Sequence, residues 1–315
     1  MEKMNLEQAM KQLKEMNVID DFLFTEMMAD EKNGLEVCRI IISCVLRREV
    51  RNIRFTAQKV VPGVSEKSHG IRLDAYVTED NEEGIKVYDV EPDKRSSKKT
   101  GLPRRSRYYA DLIDVQLLKA GVDYEKLPEL VTIFILSYDP FGGNAMYYEA
   151  GTVIKTHPRI PYDDGIRRIF LYADGDLPEN ADEGEQKIRN LVRYIRSSTK
   201  TNVVDDNTRR LDSIVRNTKS KKDIGIRIMK SWERDRELIE EIRKEEQIKY
   251  EREKERADKA EERADKAERE LQDSNKRIAE LEAMVAAAGA AGVAGYEKRK
   301  RNVAANDEMK KYKKN

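Results

Sequence analysis

The sequence predicts a mixed α/β domain over residues 1–231, followed by a long charged helix. Three observations carry this expectation. Val131-Thr132-Ile133-Phe134-Ile135-Leu136 is a continuous, mainly apolar run of strand length, the pattern of a central strand covered on both faces. Segments with helical and with strand-like spacing surround it on both sides. From about residue 232 the chain turns to Glu, Arg, Lys and Ala, with no Gly or Pro until Gly289.

Taken in order, residues 19–48 read as helical. Asp20 and Asp21 offer a cap, Phe22, Leu23, Met27 and Met28 supply apolar positions, and Gly34 is expected to interrupt before Leu35–Leu46 continues as a buried helix. Residues 52–61 look extended, and the segment from Gly63 to Gly70 is a loop. Two short β-like runs follow, Arg72-Leu73-Asp74-Ala75-Tyr76-Val77 and Lys86-Val87-Tyr88-Asp89-Val90-Glu91-Pro92-Asp93-Lys94. They are separated by a turn over residues 79–84. Residues 103–119 return to helical spacing, with Pro103 in the first turn, Tyr108, Leu112, Val115 and Leu118 on one face, and Gly121 as the stop. After the central strand, Asp139-Pro140-Phe141-Gly142-Gly143 is a turn. Strands are expected over Met146–Ile154 and Arg168–Tyr172, and helices over 184–197 and 207–231.

Residues 232–288 form the long charged helix. A seven-residue unit repeats at Glu255–Glu261 and Glu262–Glu268. Placing Ala257, Ala264, Leu271, Ile278 and Val285 at position a puts Ala260, Ala267, Ser274 and Leu281 at position d. That spacing fits a coiled coil, weak in its alanine half and stronger toward Val285. A lone helix held by ion pairs four residues apart is the alternative. Residues 289–315 read as an Ala/Gly-rich and then basic disordered tail.

Composition excludes several functions. With 38% charged residues and 7% aromatics, the 315 residues do not make one compact globule throughout. The net charge of +1 provides no global pull toward nucleic acid, so any such binding must come from local patches. Two cysteines and two histidines make a Cys/His zinc site improbable. Cys38 and Cys44 fall on different faces of a helix, so they are expected to be buried reduced thiols. The polar start Met1–Glu7 has no secretory signature, and the apolar run Ile40–Leu46 is far below the ~20 residues of a membrane span. A cytoplasmic protein with no membrane partner is expected.

The acids at the two β-like runs are the candidate site. Paired as a hairpin, the runs bring Asp74 and Glu91 together, and Asp93 shares the parity of Glu91. Asp89 shares it too, one step further in. Such hard oxygen donors suit Mg²⁺, which needs few carboxylates and keeps several waters. The bland alternative is that each acid is a solvated face residue. Against it stand the apolar setting (Ile71, Leu73, Val77, Ile85, Val87, Val90) and the basic stretch that follows: Lys94, Arg95, Lys98, Lys99, Arg104, Arg105 and Arg107, with no acid among them.

An ordered set of motifs extends beyond the acids. It runs through Ile19-Asp20-Asp21-Phe22-Leu23-Phe24, Gly70-Ile71-Arg72-Leu73-Asp74, Tyr88-Asp89-Val90-Glu91 and Leu102-Pro103-Arg104-Arg105-Ser106-Arg107-Tyr108-Tyr109. It continues with Leu127-Pro128, Tyr138-Asp139-Pro140-Phe141-Gly142, Tyr162-Asp163-Asp164-Gly165 and Ile169-Phe170-Leu171-Tyr172. Across about residues 15–240 this resembles the PD-(D/E)XK nuclease family transposases, or recombination-promoting nucleases. The resemblance implies a restriction-endonuclease-like mixed central sheet flanked by helices. It implies a metal-dependent endodeoxyribonuclease using Mg²⁺ (or Mn²⁺), linked to recombination or a mobile element, in a bacterial cytoplasm. Asp74 and Glu91 would be the first and second motif acids.

The family pattern places Lys, or in this branch often Gln, two residues after the second acid. Here Asp93 stands there and Lys94 comes one later. Asp93 as a further metal ligand, Lys94 reaching in, and a weakened site are the open readings. The expected metal ligands are therefore Asp74, Glu91 and Asp93, with Lys94 as a fourth catalytic candidate and Asp21 as an extra ligand candidate. Arg104, Arg105 and Arg107 are the candidate DNA-phosphate contacts. DNA is the expected partner, along with a second copy of the chain through the coiled coil. The alternative functions are a nuclease-fold DNA-binding protein that has lost catalysis and a coiled-coil interaction protein.

Overall fold

The computed structural model describes residues 4–65, 68–82, 84–94 and 101–312. Capping chemistry sets its first helices. In α1 (Leu6–Glu15) the Asn5 side chain accepts from the Gln8 N–H, and the Gln8 side chain accepts from the Asn5 N–H. This helix was legible as an Asn-x-x-Gln box but was not expected. α2 (Asp21–Met28) starts after Asp20. α3 (Glu31–Leu46) starts after Asp30, whose carboxylate accepts from the Asn33 N–H. The break between α2 and α3 therefore falls at Ala29–Asp30, not at Gly34. Gly34 is buried inside α3, where a Cβ would meet the Phe55 ring at 2.5 Å.

The six strands are β1 (Ile53–Val61), β2 (Ile71–Asn81), β3 (Gly84–Asp93), β4 (Glu129–Leu136), β5 (Tyr147–Ala150) and β6 (Ile166–Tyr172). They form one mixed sheet in the order β1-β2-β3-β4-β6-β5. β1, β2 and β3 are an antiparallel meander, β3 to β4 and β4 to β6 are parallel, and β5 closes the edge antiparallel to β6. A parallel β3–β4 pair needs a crossover, and α4 (Leu102–Leu117) provides it. β2 runs on to Asn81, so Glu79 lies in the strand rather than in the turn. β5 is shorter than the expected 146–154 strand.

The central β4 is buried from Leu130 to Leu136. Val131, Ile133 and Ile135 pack with α1–α3, α5 (Glu183–Arg196), α6 (Asp206–Ser220) and the start of α7 (Lys222–Tyr312), whose Ile224 and Ile228 are buried there. On the other face Phe134 and Leu136 pack with Leu102, and Leu130 packs with Ala110, Leu112 and Ile113, all of α4. Val115, expected on the buried face of α4, is exposed. Cys38 and Cys44 are both free and buried. Burial pushes both thiols up to about 12.

The chain divides into two compact units, 1–233 and 234–315. The first unit is the restriction-endonuclease-like α/β domain. The expected helix over 207–231 is instead two helices, broken at Lys221. In the second unit α7 runs past Gly289 and Gly295 to Tyr312.

Candidate active site

The β2–β3 hairpin positions the acids. Ala75 pairs with Val90 and Tyr76 with Asp89, so Asp74 stands opposite Glu91. The Asp74 N–H donates to Glu91 Oε1 at 2.9 Å, which fixes the Glu91 carboxylate across the strand pair. The two acids line one cleft of about 880 Å³ with Asp93, Lys94, Arg72, His69, Tyr108 and Tyr109. Ile19, just before α2, and Asp21, its first residue, complete a wall. The Tyr108 hydroxyl donates to the His69 carbonyl and ties α4 to the loop before β2.

Asp74 is also held from β1. Ala57 pairs with Ala75 and Lys59 with Leu73, which puts Gln58 across from Asp74. Gln58 has a left-handed backbone (φ 49°). Its amide donates to Asp74 Oδ1 and to Thr25 Oγ1, each at 3.3 Å. Ile71 and Leu73 pack with the α4 cluster, whereas Ala75 and Val77, of the same parity, pack with the opposite one. The alternation of β2 thus changes side at Asp74.

Asp89 is a third acid of this group, fully buried beside Glu91. Neither of its carboxylate oxygens has a hydrogen-bond partner. Burial, then the Asp74 charge, pushes the Asp89 carboxyl well up. Burial, then the charges of Asp89 and Asp74, does the same to Glu91. The Arg105 charge opposes both shifts without reversing them. Several carboxyls crowded out of water hold protons that a cation would displace.

The remaining candidates are placed as follows. Asp93 is buried and ion-paired to Arg105, whose side chain reaches in from α4. Arg105 is thus drawn into the domain, while Arg104 and Arg107 stay exposed on α4, outside the residues lining the cleft. Lys94 forms an ion pair with Asp20 at the start of α2. Arg95, Lys98 and Lys99 lie outside the described residues. The parity of Asp89 was visible in the sequence. Gln58 was not, because its approach depends on the β1–β2 register.

Among the described residues, no three of the His, Cys, Asp and Glu side chains are arranged to hold a metal ion together. Magnesium does not require three. It is commonly held by one or two carboxylates plus waters and substrate oxygens. Asp74 and Glu91 are hard donors facing the cleft, and behind them stands the buried Asp89 carboxyl, whose oxygens have no hydrogen-bond partner. The donor set fits such an ion.

Fold and site together define a nuclease-fold α/β protein with acids where two neighbouring strands open on a cleft. The chain belongs to the PD-(D/E)XK nuclease family transposases, whose family model matches residues 18–284. No curated protein and no solved structure gives a significant match. Membership makes this a nuclease- or transposase-type protein, with DNA as the substrate class the family suggests and divalent metals as the cofactors such nucleases generally use. Among the described residues, no helix is long and apolar enough to cross a membrane.

Proposed function

We propose that the protein is a metal-dependent endodeoxyribonuclease that hydrolyses DNA phosphodiester bonds in recombination or element mobility. The observation that carries this reading is the pairing of Asp74 with Glu91 across β2 and β3, at the head of the cleft and backed by Asp89. Asp74 and Glu91 would hold Mg²⁺ or Mn²⁺. When bound, such an ion polarises a phosphoryl oxygen and acidifies a water. The protein's own part is to orient these donors. Gln58, whose amide also donates to Thr25, holds Asp74 from one side, and the Asp74 amide holds Glu91 from the other. Arg104 and Arg107, exposed on α4, are the proposed phosphate contacts.

The test is cleavage of duplex DNA with Mg²⁺ or Mn²⁺ against EDTA. Asp74→Ala and Glu91→Ala should each remove cleavage with the fold intact by circular dichroism. Undiminished cutting by both variants would sink the assignment. One observation favours a second reading, a DNA-binding protein with weakened catalysis: the third motif position is an acid already paired with Arg105. That reading expects salt-dependent DNA binding without cutting under either metal. We also propose that residues 234–315 pair two copies of the chain through the heptads of α7.

A further inference from the structure

The geometry points to Arg105 and Asp93 as one unit: Asp93 holds Arg105 beside the acid cluster, and α4 thereby brings the fixed positive charge that a lysine at position 93 would bring from β3. This assignment rests on the nuclease reading and deepens it. Asp93 occupies the third motif position with a side chain only 1% exposed, and its Oδ2 receives Arg105, 13% exposed. A carboxylate committed in this way anchors a guanidinium rather than offering itself to an ion in the cleft.

The guanidinium is held by more than charge. It lies 5.3 Å from the Phe134 ring centroid and 5.9 Å from that of Tyr109. Flat packing against aromatic faces suits arginine, which keeps its charge when buried, and does not suit lysine. Arg105 Nε and Nη1 are buried and have no hydrogen-bond partner, so the ion pair with Asp93 does not exhaust the group. Its field reaches Asp89 and Glu91 as well. Lys94 is engaged elsewhere: it is 58% exposed and paired with Asp20. Arg105 is therefore a positioning residue. It acts through Asp93 and through space on the acids, and it does not touch DNA.

Metal binding and cleavage, measured on the full chain, test this separately. Thermal unfolding checks the fold of each variant. In calorimetric titration with Mn²⁺ and no DNA, Asp74→Asn should lose affinity by about tenfold or more, while Asp93→Asn stays within about threefold of wild type. An Asp93→Asn loss equal to that of Asp74→Asn overturns the assignment. In cleavage, Arg105→Gln should lower kcat on the order of a hundredfold with the Kd for DNA unchanged. The double variant Asp93→Lys with Arg105→Gln, which returns the charge to β3, should recover at least about a tenth of wild-type kcat. It also stands in if Arg105→Gln alone does not fold, since breaking one half of a buried pair is costly. A folded double variant with no recovery overturns the assignment. If wild type cuts no DNA under either metal, the nuclease reading falls. The Mn²⁺ comparison then still upholds or overturns Asp93 as an anchor, and a wild type that neither cuts nor binds Mn²⁺ overturns both.

Discussion

Two acids on neighbouring strands, Glu79 and Asp89, are both buried and behave in opposite ways. Burial alone would raise Glu79, but donors outweigh it. Arg48 grips both of its oxygens, at 2.9 and 2.6 Å, the Tyr88 hydroxyl donates at 2.6 Å, and the Arg51 N–H at 3.1 Å. The Glu79 carboxyl is thereby held down to about 2. A depressed folded value stabilises above the unfolded value of about 4.3, and that contribution is lost as pH falls toward about 2. Glu79→Gln should cost on the order of 3 kcal/mol at pH 7. This is the low end for a buried pair, because Arg48 is 38% exposed. The difference from wild type should shrink steadily below pH 4 in urea unfolding, and a constant difference would contradict this account. For Asp89, burial and then the Asp74 charge prevail, so its folded value is raised. A raised acid favours the fold below its unfolded value, about 3.9, and loses that contribution as pH rises through the folded one. Without metal, Asp89→Asn should therefore stabilise at pH 8 by about 1 kcal/mol and should not do so at pH 4. Parallel melting curves for wild type and variant across that range would refute the buried-charge explanation.

At the scale of elements, Gly34 shows how packing overrides a local signal. A glycine in a helical run suggests an interruption, yet α3 passes through it because Phe55 of β1 occupies the space of a side chain. Gly34→Ala should cost about 1–3 kcal/mol by overpacking, despite alanine's better helix propensity. Phe55→Leu should relieve part of that cost in the double variant. A stabilised Gly34→Ala, read by thermal melting, would show that the ring moves freely. The same contrast explains what the chain disclosed. β4 was legible because burial on both faces leaves an unbroken apolar run, and α4 because Pro103 opens it. The β2–β3 pairing was legible because its two runs are close in sequence. The Asp30 cap was local and could have been read, but the passage of α3 through Gly34 against Phe55, and the Val115 face, turn on partners distant in sequence. In the site, the Asp74–Glu91 meeting followed from strand parity. The Arg105–Asp93 pair and the reach of Gln58 did not, because each needs the relative placement of elements that no local pattern encodes.

For the whole molecule, the decisive contrast is between two units that solve burial differently. The first buries its apolar residues internally, down to Ile224 and Ile228 at the start of α7. The second leaves apolar residues in water, among them Leu271 at 61% exposed, Ile278 at 50%, Leu281 at 56% and Val285 at 71%. These residues fall at a and d of the same heptad register, so they share one stripe. Such a stripe gains by facing its own copy, with leucine and isoleucine knobs entering each other's holes. The alanine heptads at 257–267 have too little apolar area to drive pairing by themselves. Sedimentation equilibrium of the full chain should therefore show a dimer, and residues 1–233 alone a monomer. Ile278→Glu with Leu281→Glu should dissociate the dimer at micromolar concentration, because charges at a and d face each other in the pair. Those two positions lie outside the unit that holds the acids, so nicking of DNA by the dissociated variant should persist. Paired cutting of both strands should fall if two copies act together. A full chain that sediments as a monomer would remove the dimer and, with it, the expectation of paired cutting.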